Sequence, residues 1–126
     1  MTVNSYLLQD WVGLGTNGSV AANITQPSAM WLDLGHAAEL TFLLEVAGRT
    51  GGGVPKVWYE TAPLRDAGMF RTLATVNLVE NTTNVQRISL YANPTQPLMR
   101  YVRWRVTNDV VAWTATFRLT VMTYPR

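Results

Sequence analysis

Apolar and polar residues alternate along much of the chain, which is the pattern of β-strands that bury one face. In the clearest run, residues 39–47, Leu40, Phe42, Leu44 and Val46 share one face. Gly, Pro and Asn interrupt such runs at a spacing of about 8–12 residues, which is typical of sandwiches and barrels. No window sustains the 3.6-residue period of a capped helix, so the chain is predicted to be built from strands.

Strands are predicted wherever Val, Thr, Leu and aromatic residues recur between turn signals. The predicted strands are 6–12, 19–24, 29–34, 39–47, 54–61, 69–78, 85–91, 99–107 and 114–124, the first three being the weakest. About eight strands is the number that a jelly roll uses. We therefore predict an all-β fold, a single antiparallel β-sandwich that is jelly-roll-like.

The N-terminal residues 1–14 are predicted to be either an arm that reaches a neighbouring molecule or the first strand. Residues 15–126 are predicted to form the β-sandwich domain, because 126 residues suit one domain. If the first segment is an arm, a protein that lacks residues 2–14 should keep a folded sandwich.

The composition is apolar and poor in charge. Hydrophobic residues make up 48% and charged residues 14%, against about 25% charged in an average protein. Either a partner covers part of the surface, or the surface of a monomer is rich in Thr and Asn. Nine of the ten basic residues are arginine, which favours interfaces. Because they are scattered, we expect no nucleic-acid partner.

Residues for catalysis or metal binding are few. The chain has no cysteine, and its one histidine, His36, lies in a predicted turn without any G-x-S-x-G motif. Zinc needs three or four ligands, and the acidic residues are spread over different strands. We therefore expect no enzyme activity, no cofactor and no metal. No secretory signal pattern and no apolar run of about 20 residues are present, so no membrane partner is expected.

Aromatic and arginine residues provide the candidate interface. Trp104 alternates with Val102 and Val106 and is predicted to be in the core. Trp58 and Trp113 are predicted either to contact a partner or ligand or to pack under loops. The candidate interface residues are Tyr6, Leu7, Leu8, Trp11, Trp58, Tyr101, Arg103, Arg105 and Trp113.

Tyr101, Arg103 and Arg105 share one face of a strand, and neighbouring like charges need carboxylate partners. Glu45 and Glu60 are the candidate partners within the sheet. The alternative is that the carboxylates come from another chain.

Several short motifs follow one another in a fixed order between residues 31 and 121. They are WLDLG at 31–35, LTFLLEV at 40–46, VWYETAP at 57–63, Phe70, RISL at 87–90, RYVRWRV at 100–106 and Phe117. This order resembles the small β-sandwich proteins encoded among the structural genes of tailed phages and prophages. The chain departs from that pattern at 61–63, where Thr-Ala-Pro replaces Thr-Ser-Pro, and at 64–68, where LRDAG replaces an Asp-Gly-Gly turn.

The resemblance implies a non-enzymatic virion component that is assembled in the cytoplasm of a bacterial host. The expected role is a capsid decoration or cement protein that binds the major capsid protein or other virion proteins. It would act as a homo-oligomer, with a trimer as one option. A tail or head–tail component is an alternative. The segment 100–106 also resembles galactose-binding-like sandwiches, which implies a carbohydrate-binding module using Trp58, Trp113 and Arg103.

Overall fold

The computed structural model describes residues 4–35, 37–89 and 96–125, without the side chains of residues 38, 89 and 125. His36 and most of the predicted 93–97 loop lie outside the described residues. The described strands are β1 Asn4–Asn17, β2 Ala22–Thr25, β3 Leu32–Asp33, β4 Ala37–Gly51, β5 Lys56–Ala62, β6 Arg71–Asn77, β7 Thr82–Ser89, β8 Tyr101–Asn108 and β9 Ala112–Pro125. Two short 3-10 helices, Ser28–Met30 and Ala67–Met69, lie in the connections.

The strands form two antiparallel sheets. Sheet A has the order β1-β9-β4-β7, and sheet B has the order β2-β8-β5-β6, with β3 also paired to β8. Because β2 and β3 pair with successive parts of β8, they act as one interrupted edge strand, which gives eight strands among the described residues. Each sheet combines strands from both halves of the chain, as in a jelly roll. The predicted fold class is confirmed.

The core lies between the inner faces of the two sheets. Phe42 of β4 stacks on Tyr59 of β5 with ring centroids 3.9 Å apart, and Trp104 of β8 meets Phe117 of β9 edge-on at 5.4 Å. The prediction that Trp104 is a core residue is confirmed. Burial raises the pKa of the Tyr59 hydroxyl, which has no hydrogen-bond partner among the described residues.

Strand β4 extends beyond its predicted end at residue 47, into the predicted turn at 49–53. Its pairing with β9 continues to Gly51, which lies opposite Trp113. Gly51 has a φ of 89°, and a Cβ at this position would overlap the carbonyl oxygen of Ala112. The glycine therefore allows two backbones to approach closely at the end of the strand, which the sequence pattern did not predict.

Strand β1 is hydrogen-bonded to β9 along most of its length and includes residues 4–14 of the predicted arm or first strand. Its register shifts between Leu7 and Gln9, and Leu8 is buried in the core with 2% exposure. The buried side chain of Gln26 donates from Nε2 to the Leu8 carbonyl at 2.7 Å. The Trp104 amide donates to Gln26 Oε1 at 3.3 Å. We therefore expect that removal of the segment would expose the edge of β9 and open the core.

Candidate interface surfaces

The outer face of sheet B carries the predicted stripe of Tyr101, Arg103 and Arg105. Glu60 of β5 lies opposite this stripe and accepts from Arg103 Nε at 2.9 Å and from Arg105 Nε at 3.2 Å. The prediction of Glu60 as an intrachain partner is confirmed. The prediction of Glu45 is wrong, because β4 belongs to sheet A and its carboxylate is on the other side of the sandwich.

Two loops cover the centre of this stripe. The Arg103 guanidinium lies 4.0 Å from the ring centroid of Phe70, which lies in the β5–β6 connection, and 5.2 Å from that of Trp31. The two rings contact each other edge-on at 4.8 Å, and Trp31 Nε1 donates to the Gln26 carbonyl at 2.9 Å. The side chains of Arg103 and Glu60 are consequently only 8% and 6% exposed. Arg103 is thus not available to a partner while these loops stay closed.

The end of the stripe near Tyr101 remains more open. Arg100 and Arg65 place their guanidinium groups 5.3 and 5.8 Å from the Tyr101 ring centroid, within the range of cation–π contacts. Arg100 also makes a bidentate contact with Asp33, at 2.9 and 3.1 Å. This hydrogen bonding, together with the Gly35 amide, lowers the pKa of the Asp33 carboxyl group.

Trp58 forms one wall of a small polar cavity on the same sheet. Its Nε1 donates to Thr107 Oγ1 at 2.7 Å, and the Arg105 guanidinium lies 4.7 Å from its ring centroid. The cavity measures about 290 Å³ and is lined by Val54, Lys56, Trp58, Thr107, Asn108 and Asp109.

Of the two alternatives predicted for Trp113, the structure shows packing rather than contact with a partner or ligand. It lies at the start of β9 in sheet A, is 2% exposed and belongs to the core cluster. Trp58 and Arg103 instead lie on the outer face of sheet B. The three residues considered for sugar binding therefore do not converge on one surface.

Sheet A presents the exposed part of the predicted interface. On β1, Tyr6, Leu7 and Trp11 are 41%, 52% and 44% exposed, whereas Leu8 points into the core. The Arg118 guanidinium lies 4.9 Å from the Trp11 ring centroid and contacts both oxygens of Glu45, at 2.8 and 3.0 Å. The sequence pattern did not indicate that Trp11, Arg118 and Glu45 lie together, because they come from three strands far apart in the chain.

A row of three apolar residues and one threonine crosses the outer face of sheet A beside these residues. Leu7 lies opposite Thr120, Thr120 opposite Leu43, and Leu43 opposite Val85. The two ends of the row, Leu7 and Val85, are 52% and 63% exposed. We call Leu7, Trp11, Leu43, Val85 and Arg118 the sheet A surface.

Within residues 4–35, 37–89 and 96–125, no group of three or more His, Cys, Asp or Glu side chains is placed to hold a metal ion. In this described part of the chain, no helix is long and apolar enough to cross a membrane.

No family model matches the chain, and no curated protein matches its sequence. Solved structures with a similar fold include Bacillus endospore appendages, described as a novel family of disulfide-linked pili. That match has a TM-score of 0.51 and 12% identity, and it covers 99% of this chain and 90% of the other. The 126 residues of this chain contain no cysteine, so no disulfide can form through them.

Two further structures share the fold but are longer. The PBSX exported protein XepA matches 98% of this chain with a TM-score of 0.53 and 16% identity. The infectious bursal disease virus structure, Gx strain, matches 98% with a TM-score of 0.55 and 14% identity. This chain spans only 37% and 34% of these two proteins. At such identities the likeness establishes the sandwich architecture alone.

Proposed function

We propose that this chain is a non-enzymatic structural protein of a virion, specifically a capsid decoration protein that binds the major capsid protein lattice in a particle assembled in the bacterial cytoplasm. The observation that carries the proposal is the distribution of exposed apolar side chains. Sheet A leaves Leu7, Trp11 and Val85 exposed, whereas the centre of sheet B is internally paired and covered. Similar folds in the PBSX exported protein XepA and in a virus structure agree with this role.

The binding mechanism would be burial of the sheet A surface at many identical sites. Trp11 is well suited to anchor such a contact, because it is a large ring already held in place by Arg118. Each contact can be modest, since simultaneous engagement of several copies of an oligomer multiplies the effective affinity by about 10²–10⁴. The Arg118 charge on this surface is already paired with Glu45, which limits the desolvation cost of covering it.

The test is binding of purified protein to particles from the source that lack it, measured by co-sedimentation. The Trp11→Ala variant should bind at least about tenfold more weakly, as expected for loss of an interface anchor. Val110 lies in the β8–β9 turn and is 57% exposed. The Val110→Ala variant should therefore bind like the unaltered protein. Equal binding by the two variants would contradict the proposed surface.

Electron microscopy of decorated particles tests which part of the particle is bound. Density on the capsid shell supports the decoration role. Density at the tail or the neck instead would show that the chain is a tail or head–tail component and not a decoration protein.

A second candidate function, carbohydrate binding, is supported by the cavity at Trp58. An indole wall beside Lys56, Asn108 and Asp109 offers both an apolar platform and several hydrogen-bonding groups. Asn108 is 8% exposed, and its Oδ1 has no partner among the described residues. Tryptophan fluorescence titrations across a glycan panel should respond in the unaltered protein and in Trp11→Phe, but not in Trp58→Phe. If no glycan of the panel changes the tryptophan fluorescence of the unaltered protein, carbohydrate binding is excluded.

A further inference from the structure

Sheet A ends in two strands whose outer edges are not paired within the described part of the chain, β1 on one side and β7 on the other. Natural proteins commonly protect such edges with lysine or proline. Neither strand contains either residue, and each carries a single charge, Asp10 on β1 and Arg87 on β7. The two edges therefore lack like charges that would repel each other.

The strand directions make the two edges complementary. All three neighbouring pairs in sheet A are antiparallel, so β1 and β7 run in opposite directions. A second copy in the same orientation would therefore place its β1 antiparallel to β7 of the first, which is the arrangement already present throughout the sheet.

The register across the sheet also matches. Leu7 and Val85 lie at the same level because Thr120 and Leu43 connect them strand by strand. Two residues along each strand, Ser5 and Arg87 are level in the same way, through Met122 and Thr41. A neighbouring copy without a shift along the strands would thus bring the exposed Leu7 next to the exposed Val85, so that the two side chains contact each other on the outer face. Regular pairing in β1 runs from Asn4 to Leu7 before the register shift at Leu8.

We propose that Asn4–Leu7 of one copy pairs antiparallel with Val85–Ile88 of the next, so that sheet A continues from molecule to molecule. The pairing would satisfy main-chain groups at both edges and bring the two apolar ends of the row into contact. Because the two surfaces differ, the contact is heterologous and repeats around a ring or along a filament. This inference does not rest on the proposed function, since it concerns copies of this chain alone.

Cysteine cross-linking tests the pairing directly, because the chain contains no native cysteine. Facing side chains in an antiparallel pair have Cβ atoms about 4.5–5.5 Å apart, close enough for a disulfide after small adjustments. The Leu7→Cys/Val85→Cys double variant should yield a ladder of covalent oligomers on oxidation. A mixture of the two single variants should stop at a dimer. The Val20→Cys/Val110→Cys control, at residues of comparable exposure, should give no ladder.

Two outcomes of this experiment would overturn the proposal. One is the absence of a ladder from the double variant. The other is dimerisation of Leu7→Cys alone as efficiently as in the mixture, because that would indicate a two-fold symmetric contact instead.

Sedimentation velocity over a range of concentrations gives a second readout. The unaltered protein and Val110→Lys should associate as concentration rises, whereas Val85→Lys should shift to monomer while keeping its melting temperature. A monomer at every concentration in the unaltered protein would also overturn the pairing. Particle binding through Trp11 is measured separately, so failure of self-association and failure of decoration remain distinguishable.

Discussion

Replacing Glu60 with alanine would remove the carboxylate that holds two guanidinium groups on the outer face of sheet B. The side chains of Glu60 and Arg103 are 6% and 8% exposed, and that of Arg105 is 23% exposed. After the change, Arg103 would remain buried against Phe70 without a counter-charge. Removing one partner of a buried ion pair costs about 3–5 kcal/mol of unfolding free energy. We expect about 3 kcal/mol, because Arg105 can turn towards water.

Glu45→Ala is the matched control. Glu45 is also a mid-strand glutamate bonded to an arginine on the neighbouring strand, but the Arg118 and Glu45 side chains are 35% and 28% exposed. Ion pairs that are partly solvated contribute about 0–1 kcal/mol, so this variant should lose less than about 1 kcal/mol. Both variants lose an ion pair, so the difference between their free energies of unfolding measures the effect of burial.

Urea unfolding followed by tryptophan fluorescence measures both variants. With a denaturant slope of about 2 kcal/mol per molar, the Glu60→Ala midpoint should fall by about 1.5 M. The Glu60→Leu/Arg103→Met double variant should recover most of that loss, because an apolar pair of similar volume removes the unpaired charge. The reasoning is refuted if Glu60→Ala loses no more stability than Glu45→Ala, or if the double variant is less stable than the single.

Other changes test the strand ends and the inter-sheet contacts by the same unfolding assay. Gly51→Ala should cost more than about 1 kcal/mol, since its positive φ and the close β9 backbone exclude a side chain, whereas Gly48→Ala should change stability by less than about 0.5 kcal/mol. Trp113→Ala should cost about 3–5 kcal/mol and Trp11→Ala under about 1 kcal/mol, and similar losses would contradict the assignment of Trp113 to the core. Gln26→Leu should cost about 1–3 kcal/mol by leaving buried main-chain groups unpaired, and an unchanged midpoint would show that its bonds are dispensable.

The sequence pattern predicted the faces of the central strands correctly because alternation is a local property of a half-buried strand. Leu40, Phe42 and Leu44 are all at most 1% exposed, as their shared face predicts. Strand ends were harder to predict. The pattern ends β4 near residue 47, yet the strand runs to Gly51, because its pairing partner β9 is distant in the chain and glycine permits their close approach.

The candidate interface was only partly predictable. Leu7 and Trp11 are exposed on an edge strand, but Trp113 is in the core although a turn was predicted beside it. A tryptophan next to a turn can face either way, since periodicity gives the alternation of faces and not the side on which the second sheet packs. Gln26 gave no signal at all, because the three hydrogen bonds of its side chain join segments that are 4, 18 and 78 residues away.

By itself, the sequence determined an all-β chain with about eight strands and placed the Tyr101, Arg103 and Arg105 side chains on one face of β8. Only the tertiary structure decided which of them a partner can reach. Arg103 and Arg105 occupy equivalent positions two residues apart, yet Arg103 is the more deeply buried. The reason is that the loops carrying Trp31 and Phe70 close over one and not the other. Such coverage depends on segments brought together by the sandwich, which no local pattern records.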